Sequence, residues 1–294
     1  MSSLKESNVA DLISSIDNLP TPPVVFSRIN ESISNPNSSA YQIASIISED
    51  PAMSAKILRL SNSAFYGIRN EITSVKQAII TIGLEAIRSL VLSTSVFDAF
   101  KTNPEFAQQQ DQFWRHSLAV ASACRVIARR VSADWIQDTD KVFSAGMLHD
   151  IGKLVLLAYF PYEWEKIKKQ MKDSQAKPTE VEKQILGYTH TDLGAALADR
   201  WNLPEVLHDA IAFHHKPLES PLKDSLAPLV FCGNFLSDML LEQELDPEEI
   251  ELDEETTEVF AYLKLGPDSI KALRTGLIEE YAKSQVFLEI ARGL

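Results

Sequence analysis

Apolar residues recur at helical spacing along nearly the whole chain, and no run of alternating Val, Ile or Thr competes with them. Only 10 of the 294 residues are glycine. Such a chain has few ways to fold other than as packed helices joined by short loops, so an all-α fold is expected. Prolines act as punctuation. Asp50-Pro51 reads as the N-cap and first residue of a helix through AMSAKILRLSNSAF, and Asp246-Pro247 repeats the device before EEIEL. Leu203-Pro204 opens the helix EVLHDAIAFHH, Pro217 follows its end, and Leu19-Pro20-Thr21-Pro22-Pro23 makes an early rigid turn.

The length fits one large domain or two modest ones. With 28 Lys and Arg against 41 Asp and Glu, the net charge is −13, so the chain has no general attraction for nucleic-acid phosphates or anionic lipid. Eleven of the acids fall between Asp238 and Glu258, a run without Lys or Arg that reads as a solvated face. The first residues, MSSLKESNVADL, contain no apolar signal region. The most apolar stretch, MLHDIGKLVLLAYF, is broken by His149, Asp150 and Lys153, short of the ~20 apolar residues that span a bilayer. These features predict a cytoplasmic protein with no membrane or nucleic-acid partner. Cys124 and Cys232 sit among apolar residues and read as buried, reduced thiols. Residues 75–92 have the outline of a helix-turn-helix with Gly83 in the turn. The second helix offers Leu84, Ala86, Ile87, Leu90 and Val91 with Arg88 as its one cation, which suits a packed αα-hairpin rather than a DNA reader.

All six histidines, His116, His149, His190, His208, His214 and His215, lie within residues 106–217. Histidine is the commonest metal ligand and the acid/base of neutral pH, so the confinement points to a site. His149 and Asp150 are adjacent in an apolar helix expected to begin near Val142. Their side chains would diverge by about 100°, and one metal between them, or two sharing the carboxylate, could use both. Lys153, one turn beyond His149, could reach a phosphate. His116 lies beside the apolar stripe of FWRHSLAVASACRVIARRV and is expected to face inward. His214-His215 ends a helix; two neutral imidazoles there suit a second metal, and a protonated one suits the helix dipole.

The words LPTPPVVFSRI, SIISEDPAMSAKILRLSNSAFYG and SVKQAIITIGLEAIRSLVL, followed by FWRHSLAVA, FSAGMLHDIGKLVL, GYTHTDLGAALADRWNLP and AIAFHHKP, resemble the HDOD branch of the HD superfamily over residues 18–217. The resemblance implies a multi-helix bundle with an N-terminal helical part (18–105) before an HD-like part (106–217). Residues 1–17 would be a helical extension and 218–294 a helical region carrying the acidic run. Carried over by motif, His116 matches the first metal-binding His of HD hydrolases, His149 and Asp150 the His-Asp pair, Lys153 the lysine after it, His190 the intermediate His, and His214 and His215 the double His. Two positions depart. Where a late Asp is expected, Asn234 is best placed, with Asp238 one turn on as a stand-in, and a neutral amide offsets no cation charge. Gln112 stands where some relatives have Glu. The glycine-rich loop of the HD-GYP phosphodiesterases is absent after His215, and Gly187-Tyr188 is not that motif. His208 matches no ligand.

The resemblance therefore implies a bacterial signal-transduction module that binds a signalling protein and needs no turnover. The alternative is a phosphohydrolase using Fe, Mn, Zn or Ni on a nucleotide, a cyclic dinucleotide or another phosphoester, with Asp150 and Lys153 in catalytic roles. Between them lies a centre that binds metal or nucleotide as a sensor, without turnover.

Overall fold

The N-cap foreseen at Asp50-Pro51 is present. In the computed structural model, which describes residues 9–16, 19–20, 24–34, 39–100, 106–131, 138–174, 176–241, 252–266 and 268–292, Asp50 accepts the Met53 backbone N–H at 3.0 Å and starts a helix at Pro51. That helix stops at Ser61, earlier than the apolar pattern suggests. Asn62 ends it: its side chain donates to the Leu58 and Ile72 carbonyls and accepts the Ile72 N–H at 2.8 Å, turning the chain away. Asp246-Pro247, the 242–251 part of the acidic run and residues 21–23 of the proline turn lie outside the described residues.

Among the described residues every regular element is helical. The N-terminal part comprises α1 (Val9–Ser15), α2 (Val24–Ser34), α3 (Ala40–Ser48), α4 (Pro51–Ser61), α5 (Val75–Ile82) and α6 (Leu84–Ala99). The second part comprises α7 (Ala107–Arg130), α8 (Thr139–Leu148), α9 (Ile151–Tyr159), α10 (Pro161–Ser174), α11 (Pro178–Leu186), α12 (His190–Arg200) and α13 (Glu205–Phe213). Three more helices follow: α14 (Ala227–Leu241), α15 (Glu254–Tyr262) and α16 (Asp268–Arg292).

The α5–α6 hairpin bends by 118° at Gly83, whose φ of +94° only glycine adopts without strain. Ala86, Ile87, Leu90 and Val91 on α6 are buried, so the hairpin is core. Arg88, the cation of α6, is held by the Asn30 side chain at 2.6 Å. α7 is the central post. α8, α14 and α16 all pack along it, and α16 also touches α4, α6 and α14. The described helices α14 and α16 are thus built into the same core as the parts before them. The α8–α9 stretch, Thr139–Tyr159, has the length and composition of a membrane span, yet most of it is buried within the protein. Cys124 and Cys232 are buried and free.

Candidate metal centre

The His-Asp pair does not lie inside a continuous helix as the sequence pattern suggests. α8 ends at Leu148, and Asp150, at φ −98° and ψ 14°, breaks the ladder before α9 begins. Just past the break, Gly152 permits a close crossing. A β-carbon there would lie 1.9 Å from the His190 carbonyl oxygen and 2.8 Å from the Gly194 nitrogen, so the start of α9 rests backbone-to-backbone on the start of α12. This crossing brings Asp150 to His190. A capping box, with Thr189 accepting from the Asp192 backbone and Asp192 accepting from the Thr189 backbone, fixes where α12 starts and so places His190 in its first turn.

Five of the six histidines converge on Asp150 or on one another. Asp150 Oδ2 lies 3.3 Å from His149 Nε2 and 3.6 Å from His116 Nε2. Asp150 Oδ1 lies 3.2 Å from His190 Nε2 and 3.4 Å from His214 Nε2. His215 Nε2 is 3.2 Å from His190 Nε2. The donors form two groups that share the carboxylate, His116–His149–Asp150 and Asp150–His190–His214–His215. His149, Asp150, His190 and His214 are buried, while His116 and His215 are partly exposed.

The outer ring nitrogens decide which way the lone pairs point. His149 Nδ1 lies 2.8 Å from the Gly146 carbonyl, and His214 Nδ1 lies 3.0 Å from the Ile211 carbonyl. A carbonyl only accepts, so each Nδ1 carries the proton and each Nε2 faces Asp150 with a lone pair. His190 Nδ1 is held by the Glu182 carboxylate at 2.7 and 2.9 Å. Acceptors therefore meet an acceptor, and His149 Nε2 and Asp150 Oδ1 are buried without a hydrogen-bond partner. Burial holds His116 and His214 neutral, with pKa values lowered to about 3, and lowers His215 further. With burial keeping protons off His116, His214 and His215, a divalent cation is the partner that fits these lone pairs, and each of the two groups could hold one. Burial, the largest influence, opposes charge on Asp150, yet the carboxyl is held well below its usual range, with the Lys153 ammonium beside it among the causes. The imidazole and carboxylate set fits Fe, Mn, Zn or Ni.

Lys153 Nζ reaches Asp150 Oδ2 at 2.6 Å, at the partly open edge of the cluster. Asp238 lies outside the converging donors. It is largely exposed and comes within 4.0 Å of the outer nitrogen of His116. Asn234 is half-buried on α14, its Oδ1 without a hydrogen-bond partner. Gln112 is exposed. His208 pairs with Asp199 at 3.3 Å, away from the cluster. Sequence reasoning missed Glu182. Its signal was faint: a carboxylate in the apolar stripe of Val181, Ile185 and Leu186, where α11 packs inward.

The HDOD domain model matches residues 19–217. The chain belongs to the HDOD family. An uncharacterised protein of Treponema pallidum is 26% identical to this HDOD chain over 221 residues, 75% of the chain and 42% of that protein. The chain thus spans less than half the length of the curated relative it matches. Among solved structures, a candidate phosphohydrolase from Shewanella amazonensis superposes with a TM-score of 0.72 at 24% identity, covering 95% of this chain and 99% of that one. A candidate signal transduction protein from Marinobacter aquaeolei superposes at 0.74 with 20% identity, covering 98% and 62%. At these identities the likeness is one of fold, the all-α HD-like bundle expected from the sequence.

Proposed function

We propose that this HDOD chain is a metal-binding signalling module that works by binding a partner protein and turns over no substrate. The observation that carries the metal is the convergence of the His116, His149, His190 and His214 Nε2 atoms on the one buried Asp150 carboxylate, with His149 Nε2 and Asp150 Oδ1 left without a hydrogen-bond partner. Two features favour a regulatory centre over a catalytic one. Four of the donor residues are shut away from solvent, and Lys153, the cation suited to a phosphate, is already engaged by Asp150. The nearby helix α14 brings Asn234, which adds no anionic charge.

Phosphoester hydrolysis is the second reading, favoured by the partly open edge formed by His116, Lys153 and His215. A bound ion would supply a water acidic enough to act as a nucleophile at neutral pH. His116, His149, Asp150, His190, His214 and His215 would hold the metal, and Lys153 would neutralise charge on a nucleotide, cyclic dinucleotide or other phosphoester.

Elemental analysis of untagged protein purified without chelator tests the first reading. About one to two equivalents of a transition metal are expected, falling in His149→Ala. Less than about a tenth of an equivalent after reconstitution with Fe, Mn or Zn sinks it. A generic phosphodiester assayed with Mn²⁺ separates the two readings: no turnover is expected, whereas turnover abolished by Asp150→Ala would make the chain a hydrolase.

A further inference from the structure

Glu182 is buried to 1% exposure, and nothing positively charged by nature faces it in the described contacts. Both its oxygens point at one residue. Oε2 accepts the His190 backbone N–H at 2.8 Å and lies 2.7 Å from His190 Nδ1, while Oε1 lies 2.9 Å from the same nitrogen. The backbone N–H is a first-turn donor of α12 that the helix itself leaves unpaired, and the helix dipole favours a carboxylate there. Burying an anion is costly unless it is well paired, so its placement calls for a reason.

We infer that Glu182 is a positioning residue for one half of the centre: it fixes the proton of His190 on Nδ1, aims Nε2 at Asp150, and delivers from behind the ring the negative charge that Asn234 does not supply. This rests on the metal-binding reading above. His149 and His214 are oriented by neutral carbonyls, whereas His190 alone among these three is backed by a carboxylate. A carboxylate behind an imidazole raises the basicity of the ligand nitrogen. Glu182 touches only the Asp150–His190–His214–His215 group through His190, so its influence is local to that half.

Glu182→Gln isolates the effect with little change of volume. The amide has one acceptor oxygen for two N–H donors, and its own NH₂ must face one of them. The His190 proton then moves to Nε2, or the ring turns. Zinc titration against a competing chelator is expected to show one of two equivalents weakened about 10–100-fold and the other unchanged. A general loosening of the fold would weaken both and lower the melting temperature, which overturns the inference. So would wild-type affinity for both in folded Glu182→Gln.

¹⁵N spectra of the metal-free wild type in mildly alkaline buffer give a reading independent of metal. The His190 resonance, assigned by its loss in His190→Asn, is expected to show the proton on Nδ1, and a proton on Nε2 overturns the inference even if Glu182→Gln does not fold. Should the wild type take up no zinc, the proposed function fails, and the position of the His190 proton alone decides this inference.

Discussion

Charge buried away from the metal centre shows what single residues do for this fold. Arg125 on α7 is 6% exposed and Glu280 on α16 is 4% exposed. Their closest atoms are 3.2 Å apart, and Arg129 adds a second contact to Glu280 at 2.8 Å. The Arg125 guanidinium also lies 4.3 Å from the centre of the Phe65 ring, in the segment after α4. One side chain thus joins three parts of the chain. Removing one partner of such a pair strands the other. Arg125→Met is expected to destabilise the protein by about 3–5 kcal/mol in denaturant unfolding, and Arg125→Met/Glu280→Leu by clearly less. Equal losses in the single and double variants would show that the residues act by packing rather than by charge. The histidine cluster was visible in the sequence because one uncommon residue type recurred in motif order. Arg125 and Glu280 were not, since 155 positions separate them and each looks ordinary in its own helix.

The α8–α9 break shows where reading by element succeeds and where it stops. A helix start was legible at Asp50, where a short polar side chain and a proline precede an apolar pattern. The break at His149-Asp150 was not, because MLHDIGKLVLLAYF has no proline and its apolar pattern continues straight through. Just past it α12 rests on Gly152, a tertiary contact that the local pattern does not announce. Gly152→Ala therefore places a methyl group inside the His190 backbone and must part α9 from α12. Overpacking of this kind costs typically 1–3 kcal/mol and more against rigid backbone. The expected result is a lower melting temperature together with reduced metal content. Full metal content and wild-type stability would mean that the helices can separate freely and that the close crossing does not set the site.

At the scale of the whole molecule, burying neutral imidazoles links stability to pH. Burial lowers the pKa of His116 and His214 to about 3 and lowers that of His215 further. The unfolded chain, with histidines near about 6.5, then binds more protons than the folded one below that pH, so stability falls as the pH falls. For His190 burial is the largest single influence and works against protonation, yet the neighbouring Asp150 and Glu182 carboxylates outweigh it and raise the pKa. Its contribution is complete below the unfolded value and is lost as pH rises through the folded one. Three lowered groups outweigh one raised group, so metal-free protein should melt progressively lower as the pH drops from about 7 to 5. A melting temperature that stays flat or climbs across that range would contradict the neutral, buried cluster.

The reach of α16 has a consequence for how the chain becomes a protein. α16 closes against α4, α6, α7 and α14, although some 200 positions separate it from α4. During synthesis the earlier helices emerge with apolar faces waiting for a partner still to be translated. Surface of that kind invites association before folding is complete. Contacts this distant along the chain also make for slow folding, since the intervening loop must close before they reward it. The nascent chain is therefore expected to depend on chaperone shielding until residues 268–292 have left the ribosome.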